Sequence, residues 1–174
     1  MELVKKIEIN KIAKFILISV FGTLVLAISA KIKIPFYPVP MTMQTFVVLF
    51  IGIAFGYKIG LATVSLYLLE GIYGLPVFSN SPEKGVGLIY FTGPTMGYLL
   101  GFLVAVYIAG FRLNLINLRK DKYFKYLNTI LIFIKLMFSV SFIYLLGLLW
   151  LGNLIGWDKP IYKLGAEPFL LAEF

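Results

Sequence analysis

The sequence predicts an all-α, polytopic membrane helical bundle, and three observations carry that prediction. Hydrophobic residues make up 60% of the 174 residues and mean hydropathy is +0.94, too apolar for a soluble chain of this length. Uncharged stretches run from Phe15 to Ala30, Ile34 to Tyr57, Gly85 to Phe111 and Leu136 to Trp157. Segments of about 20 apolar residues cross a bilayer as helices. The net charge is +8, and the basic residues sit at the ends of those stretches. Lys5, Lys6, Lys11 and Lys14 precede the first; Arg112, Arg119, Lys120, Lys122 and Lys125 follow the third. Both groups lie in the cytoplasm if the chain obeys the positive-inside bias, which puts the N-terminus there. A basic chain also suits nucleic acid, but charges placed at the ends of apolar spans are accounted for by lipid, and no nucleic-acid partner is expected.

Taken in order, residues 1–10 read as a short polar tail and the first helix as about 11–30, retained rather than removed as a signal peptide. On it Ser19, Thr23 and Ala27 recur every fourth residue as a stripe of small side chains, beside Gly22 and Ala30. Such a stripe lets another helix approach closely, either from the same chain or from a different subunit. Pro35, Pro38 and Pro40 then force an extended path. Thr42 is placed to cap a second helix, 43–55, with Gln44 in its first turn. A third helix, 59–70, ends at Glu70. A carboxylate is unfavourable at a helix C-terminus, so Glu70 needs a partner, water or a role in a site.

The loop Val77–Thr92, with Asn80 in it, precedes Gly93-Pro94-Thr95-Met96-Gly97-Tyr98. Pro94 suits the first turn of a fourth helix, 94–111. Thr95 and Tyr98 share one face of it, and Gly97 and Gly101 smooth another. The start of that helix is either a plain turn into the bundle or a place where free amides meet an anionic group. A fifth helix is expected at 126–150, with Lys135 inside it snorkelling to an interface or serving a site. Leu151–Glu167 reads as an external loop, and Pro168 starts a sixth helix that the sequence leaves truncated at Phe174.

The chain has no cysteine and no histidine. That removes disulfides, thiolate nucleophiles, the commonest general base and the usual zinc ligands, so neither an enzyme nor a metal or cofactor site is expected. No GxxxxGK[ST] loop is present, so ATP hydrolysis is not expected of this chain. Polar groups collect instead at the external helix ends, at Gln44, Glu70, Tyr90, Thr95, Tyr98 and Glu173. The pattern is that of a ligand pocket beneath a lid made of Lys31–Met41 and Val77–Thr92. The competing class is a structural or scaffold subunit of a membrane complex.

The stretches Ile34-Pro35-Phe36-Tyr37-Pro38-Val39-Pro40-Met41-Thr42-Met43-Gln44-Thr45, Tyr67–Phe78 and Phe91–Gly101 resemble, in order and spacing over nearly the whole chain, the BioY family. These are the biotin-specific S components of energy-coupling-factor (ECF) transporters. The resemblance implies a six-helix S-component fold in a prokaryotic plasma membrane. It also implies capture of biotin from outside, for ATP-driven import with a transmembrane T component and two ATP-binding subunits. The implied substrate-binding residues are Gln44, Glu70, Asn80, Tyr90, Phe91, Gly93, Thr95, Tyr98 and Glu173. Gln44, Thr95, Tyr98 and Glu173 would serve the ureido group, and Tyr90 and Phe91 would cover the bicycle. Ser19, Thr23 and Ala27 are the implied docking stripe for the T component. Two positions depart from the family pattern. Met96 replaces a glycine, and Glu173 stands where an Asp followed three residues later by a Lys is expected, the sequence ending at Phe174.

Overall fold

The computed structural model describes residues 2–111 and 122–169, with side chains over 9–111 and 126–169. The elements are α1 (Glu2–Lys31), β1 (Lys33–Ile34), β2 (Met41–Thr42), α2 (Gln44–Phe55), α3 (Tyr57–Ile72), α4 (Met96–Gly110), α5 (Lys122–Ile155) and α6 (Ile161–Gly165), with a 3-10 turn at Gly87–Thr92. The apolar parts of α1 (Ile9–Lys31) and α5 (Tyr126–Ile155) are long enough to cross a membrane. By contrast α2 has 12 residues and α4 has 15. At 1.5 Å per residue they fall short of the ~30 Å hydrocarbon core. Backbone that completes the crossing beyond their ends must therefore find its hydrogen bonds inside the protein.

Several boundaries differ from the sequence reading, each for a local reason. The polar tail is helical from Glu2 because residues 2–10 contain no glycine or proline to stop a helix. The α2–α3 connection is Gly56 alone, at φ +82, a conformation open to glycine at no steric cost. It lets α3 begin at Tyr57 and run past Glu70 to Ile72. Pro94 lies in the turn before α4 rather than in its first turn; Thr95 is the N-cap residue and Met96 the first helical one. Likewise α5 continues past Trp150 until Gly156, at φ +95, ends it. The expected external loop carries the short helix α6. The proline-rich segment closes as a small antiparallel ladder, Lys33 opposite Thr42 and Ile34 opposite Met41.

The central helix is α4, which packs against α2, α3 and α5, while α1 lies on α3 and α2. Missing side chains make this possible. A Cβ on Gly101 would lie 2.6 Å from Ile143 Cα on α5, and one on Gly60 would lie 2.5 Å from Val106 Cγ2 on α4. The α4–α5 contact is thus the use of the smooth Gly97/Gly101 face. Val48, Val64, Tyr67, Ala105 and Val106 form the buried centre. Outward, Leu17, Phe21, Ile28, Phe133 and Phe138 are exposed, an apolar belt that lipid rather than water would cover. Lys135 donates to the carbonyls of Ala109 (2.8 Å) and Phe111 (3.3 Å). It closes the C-terminal end of α4, where unpaired carbonyls favour a cation.

Candidate functional site

One end of the bundle gathers the segments that follow α1, α3, α4's partner turn and α5. Two lysines at the end of α1 and in β1 organise it. Lys31 Nζ donates to the carbonyls of Phe78 and Ser81, both at 2.7 Å. Lys33 Nζ donates to the Ser79 carbonyl at 2.6 Å and to Asn80 Oδ1 at 3.0 Å. Together they supply the internal partners that a loop beyond short helices needs, and they fix Val77–Thr92 over the bundle.

Beneath that loop an aromatic cluster is built around Phe78, which is 1% exposed. Tyr90 stacks on it with centroids 4.6 Å apart, and Phe91 and Tyr67 meet it edge-on at 5.3 Å and 5.4 Å. Gly71 on α3 leaves the room that the Phe78 ring occupies. Gln44 is buried, and its Nε2 donates to Tyr67 Oη at 2.7 Å; that hydroxyl donates on to the Val77 carbonyl at 3.0 Å. Thr42 Oγ1 accepts from the Gln44 amide at 3.4 Å, a long contact, and the N-cap residue itself is Met43. Tyr90 Oη and Ser79 Oγ share a hydrogen bond of 3.2 Å.

The expected binding residues fall into separate places. Asn80, Tyr90, Gly93 and Thr95 line one cavity of about 250 Å³ under the loop, together with Lys84 and Thr92. Tyr98 belongs instead to a recess of about 50 Å³ with Thr42, Thr45, Tyr144 and Phe169. Its hydroxyl donates to the Gly165 carbonyl at 2.8 Å, which fastens α6 to α4. Gln44 and Phe91 do not line the first cavity: Gln44 donates to Tyr67 and Phe91 meets Phe78 edge-on. Glu70 points at α1, where Thr23 Oγ1 donates to its Oε1 at 2.9 Å; this is the partner that a carboxylate at a helix end requires. Glu173 lies outside the described residues. Gly93 has φ −82, an ordinary extended value. Its role is room: a Cβ would sit 3.1 Å from the Tyr90 carbonyl oxygen, while its own carbonyl accepts from Trp150 Nε1 at 2.9 Å.

The small-residue stripe of α1 packs within its own chain. Ser19 and Thr23 are 4% and 1% exposed, and Ala27 is half-buried against the core. The groove they make is filled by α3 of the same chain. A Cβ on Gly22 would lie 2.6 Å from Thr63 Cγ2, and both Ser19 Oγ and Thr63 Oγ1 are buried without a hydrogen-bond partner. At Ser19, Gly22 and Thr63 small side chains give the close approach, and at Thr23 the hydroxyl adds the bond to Glu70.

Sequence reasoning passed over Lys31, Lys33, Lys84, Tyr67 and Phe78. Tyr67 and Phe78 stand inside the quoted motif stretches, so a signal for them was present. The lysines read only as boundary charges, since their carbonyl partners lie 46–50 residues away.

The model of the BioY family matches residues 4–174. A probable biotin transporter BioY of Pyrococcus horikoshii is 30% identical over 166 residues, covering 95% of this chain and 86% of that protein. The biotin transporter BioY of Thermotoga maritima is 33% identical over 148 residues, covering 85% of this chain and 80% of that one. Among solved structures, the 2.1 Å crystal structure of the S-component for biotin from an ECF-type ABC transporter superposes with a TM-score of 0.71 at 25% identity. It covers 94% of this chain and 84% of that chain.

Proposed function

The chain belongs to the BioY family, and on that premise we propose that it is the biotin-binding membrane subunit of a vitamin-uptake transporter. It is an integral membrane protein that captures and hands over a ligand, and not an enzyme. The observation that carries the reading is the family match over residues 4–174. The cavity under Val77–Thr92 supports it: Thr92, Gly93, Pro94 and Thr95 of the third motif stretch line it, and Phe78 of the second stacks on Tyr90 in its lining. Biotin has a neutral ureido ring, an apolar bicycle and a carboxylate on a flexible chain. Asn80, Tyr90 and Thr95 offer neutral donors and acceptors beside an aromatic wall, which suits the ring system.

As an S component the chain works with a transmembrane T component and two ATP-binding subunits. Of Ser19, Thr23 and Ala27, only Ala27 is exposed enough to meet a partner without displacing α3. The N-terminus and the basic segment 112–125 belong in the cytoplasm, and the cavity faces outside.

The test is calorimetric titration of biotin into the purified protein in detergent. Binding is expected, with Thr95→Val about five-fold weaker, the cost of one hydrogen bond worth about 1 kcal/mol. No heat of binding and no thermal stabilisation by excess biotin would overturn the reading. Full affinity in Thr95→Val would remove Thr95 from the site.

A further inference from the structure

The close contact of α1 is with α3, at Gly22 and Thr63, and beside it a groove of about 360 Å³ runs between α1 and α2. Leu17, Phe21 and Val25 form one wall and Phe46, Phe50 and Phe55 the other; every residue that lines it is apolar. Leu17, Phe21, Phe46 and Phe50 are exposed, so among the described residues nothing covers the groove. From Phe46 to Phe55 it extends about 14 Å at 1.5 Å per residue, close to half of the ~30 Å hydrocarbon core. An apolar slot of that length matches one acyl chain of one leaflet.

The groove has a charged end. At Phe55 it meets a second cavity, of about 390 Å³, whose lining includes Phe15 of α1 and Lys58 at the start of α3. On α1 the grooved face continues into Lys11 and Lys14. Lys11, Phe15, Ile18, Gly22 and Val25 follow one another at steps of three and four residues, and so do Lys14, Ile18, Phe21 and Val25. Lys11, Lys14 and Lys58 are all exposed. The α1 side chains lean toward the N-terminus of the helix, so both of its lysines reach away from the apolar slot toward the headgroups. The described acidic side chains, Glu70, Glu83, Asp158 and Glu167, stand at the other end of the bundle. A zwitterionic headgroup gains little from such a cluster of cations. A net anionic one gains charge-assisted hydrogen bonds.

We propose that the α1–α2 groove binds one anionic phospholipid of the cytoplasmic leaflet, with an acyl chain along Leu17–Val25 and Phe46–Phe55 and the phosphate at Lys11, Lys14 and Lys58. The assignment is independent of what the cavity at the opposite end binds. Charge complementarity at the mouth selects the lipid; the apolar walls seat its chain.

Native mass spectrometry of the purified, delipidated protein tests this, with dioleoylphosphatidylglycerol or dioleoylphosphatidylcholine titrated in detergent. The first phosphatidylglycerol is expected to bind about ten-fold tighter than phosphatidylcholine, the scale of a few exposed charge pairs acting together. Replacing Lys11, Lys14 and Lys58 together by Gln should abolish that preference by weakening phosphatidylglycerol alone, with an unchanged melting temperature. A second measurement locates the lipid in the wild type without any substitution. Phosphatidylglycerol carrying a diazirine on its acyl chain should label residues 17–25 and 46–55 in preference to the exposed α5 face at Phe133 and Phe138. Equal affinity for the two lipids, a preference that survives the triple substitution, or labelling spread evenly over α1 and α5 would each overturn the proposal. So would an unlabelled groove that the T component protects, which would give the surface to a protein partner.

Discussion

Lys31 shows how one residue can hold a binding loop without lining the cavity. Its Nζ donates to the Phe78 and Ser81 carbonyls, both in turns beyond the end of α3; the Phe78 carbonyl also accepts from the Ser81 amide at 3.2 Å and from Ser81 Oγ at 2.9 Å. Hydrogen bonds to a charged donor contribute about 1.5–3 kcal/mol each, toward the lower end where water can compete. Lys31→Met removes the donor and keeps most of the stem. Hydrogen exchange of the Phe78–Ser81 amides should then accelerate at least ten-fold, and biotin affinity should fall, since the aromatic cluster around Phe78 loses its anchor. Unchanged exchange in that loop would show that Lys33 and the aromatic packing suffice. Tyr98 makes the complementary point. Its hydroxyl donates to the Gly165 carbonyl and fastens α6 to α4.

At the scale of the element, the α1–α3 contact decides what the small-residue stripe does. Ser19, Gly22 and Thr23 bring α1 close enough to α3 for the Thr23 hydroxyl to reach Glu70, between two helices with few other polar contacts. Thr23→Leu inserts a larger side chain into a fully buried position and leaves Glu70 without this donor. Overpacking costs about 1–3 kcal/mol and an unpaired polar group a similar amount. The isolated protein should therefore melt several degrees lower in detergent, and biotin binding should weaken along with it. An unchanged melting temperature combined with loss of T-component capture would instead give the stripe to the partner. The same logic of missing side chains joins α4 to α5 through Gly97 and Gly101, which positions Trp150 to donate to Gly93 at the edge of the cavity.

The whole molecule has a direction. The end opposite the cavity carries Lys11, Lys14 and Lys58, and the sequence between α4 and α5 is basic, with Arg112, Arg119 and Lys120. The cavity end carries Glu70, Glu83, Asp158 and Glu167 among its lysines. The positive-inside bias predicts that the cavity opens to the exterior. Because the chain has no cysteine, orientation is directly measurable. A single cysteine at Lys159 should react with an impermeant maleimide in intact cells, and one at Lys14 should react only after lysis. The reverse pattern would turn the molecule over and place the cavity in the cytoplasm.

Composition, hydropathy and charge placement are properties of residues against a solvent, so the sequence by itself determined a membrane bundle and the approximate position of its helices. At Gly56 an explicit breaker located the α2–α3 boundary to within a few residues; residues 2–10 hold no glycine or proline and the helix ran on, and Gly152 did not stop α5, which ends before Gly156. The three motif stretches were legible as sites because polar and aromatic residues there interrupt otherwise apolar chain. Tertiary structure alone decided who partners whom. Gln44 meets Tyr67, Glu70 meets Thr23, and Tyr98 meets Gly165 across 23, 47 and 67 residues of chain. A side chain's capacity to bind a ligand depends on whether the fold has already used its donors. That is a property of distance in space, and it is why Lys31 and Lys33 became fasteners of the loop.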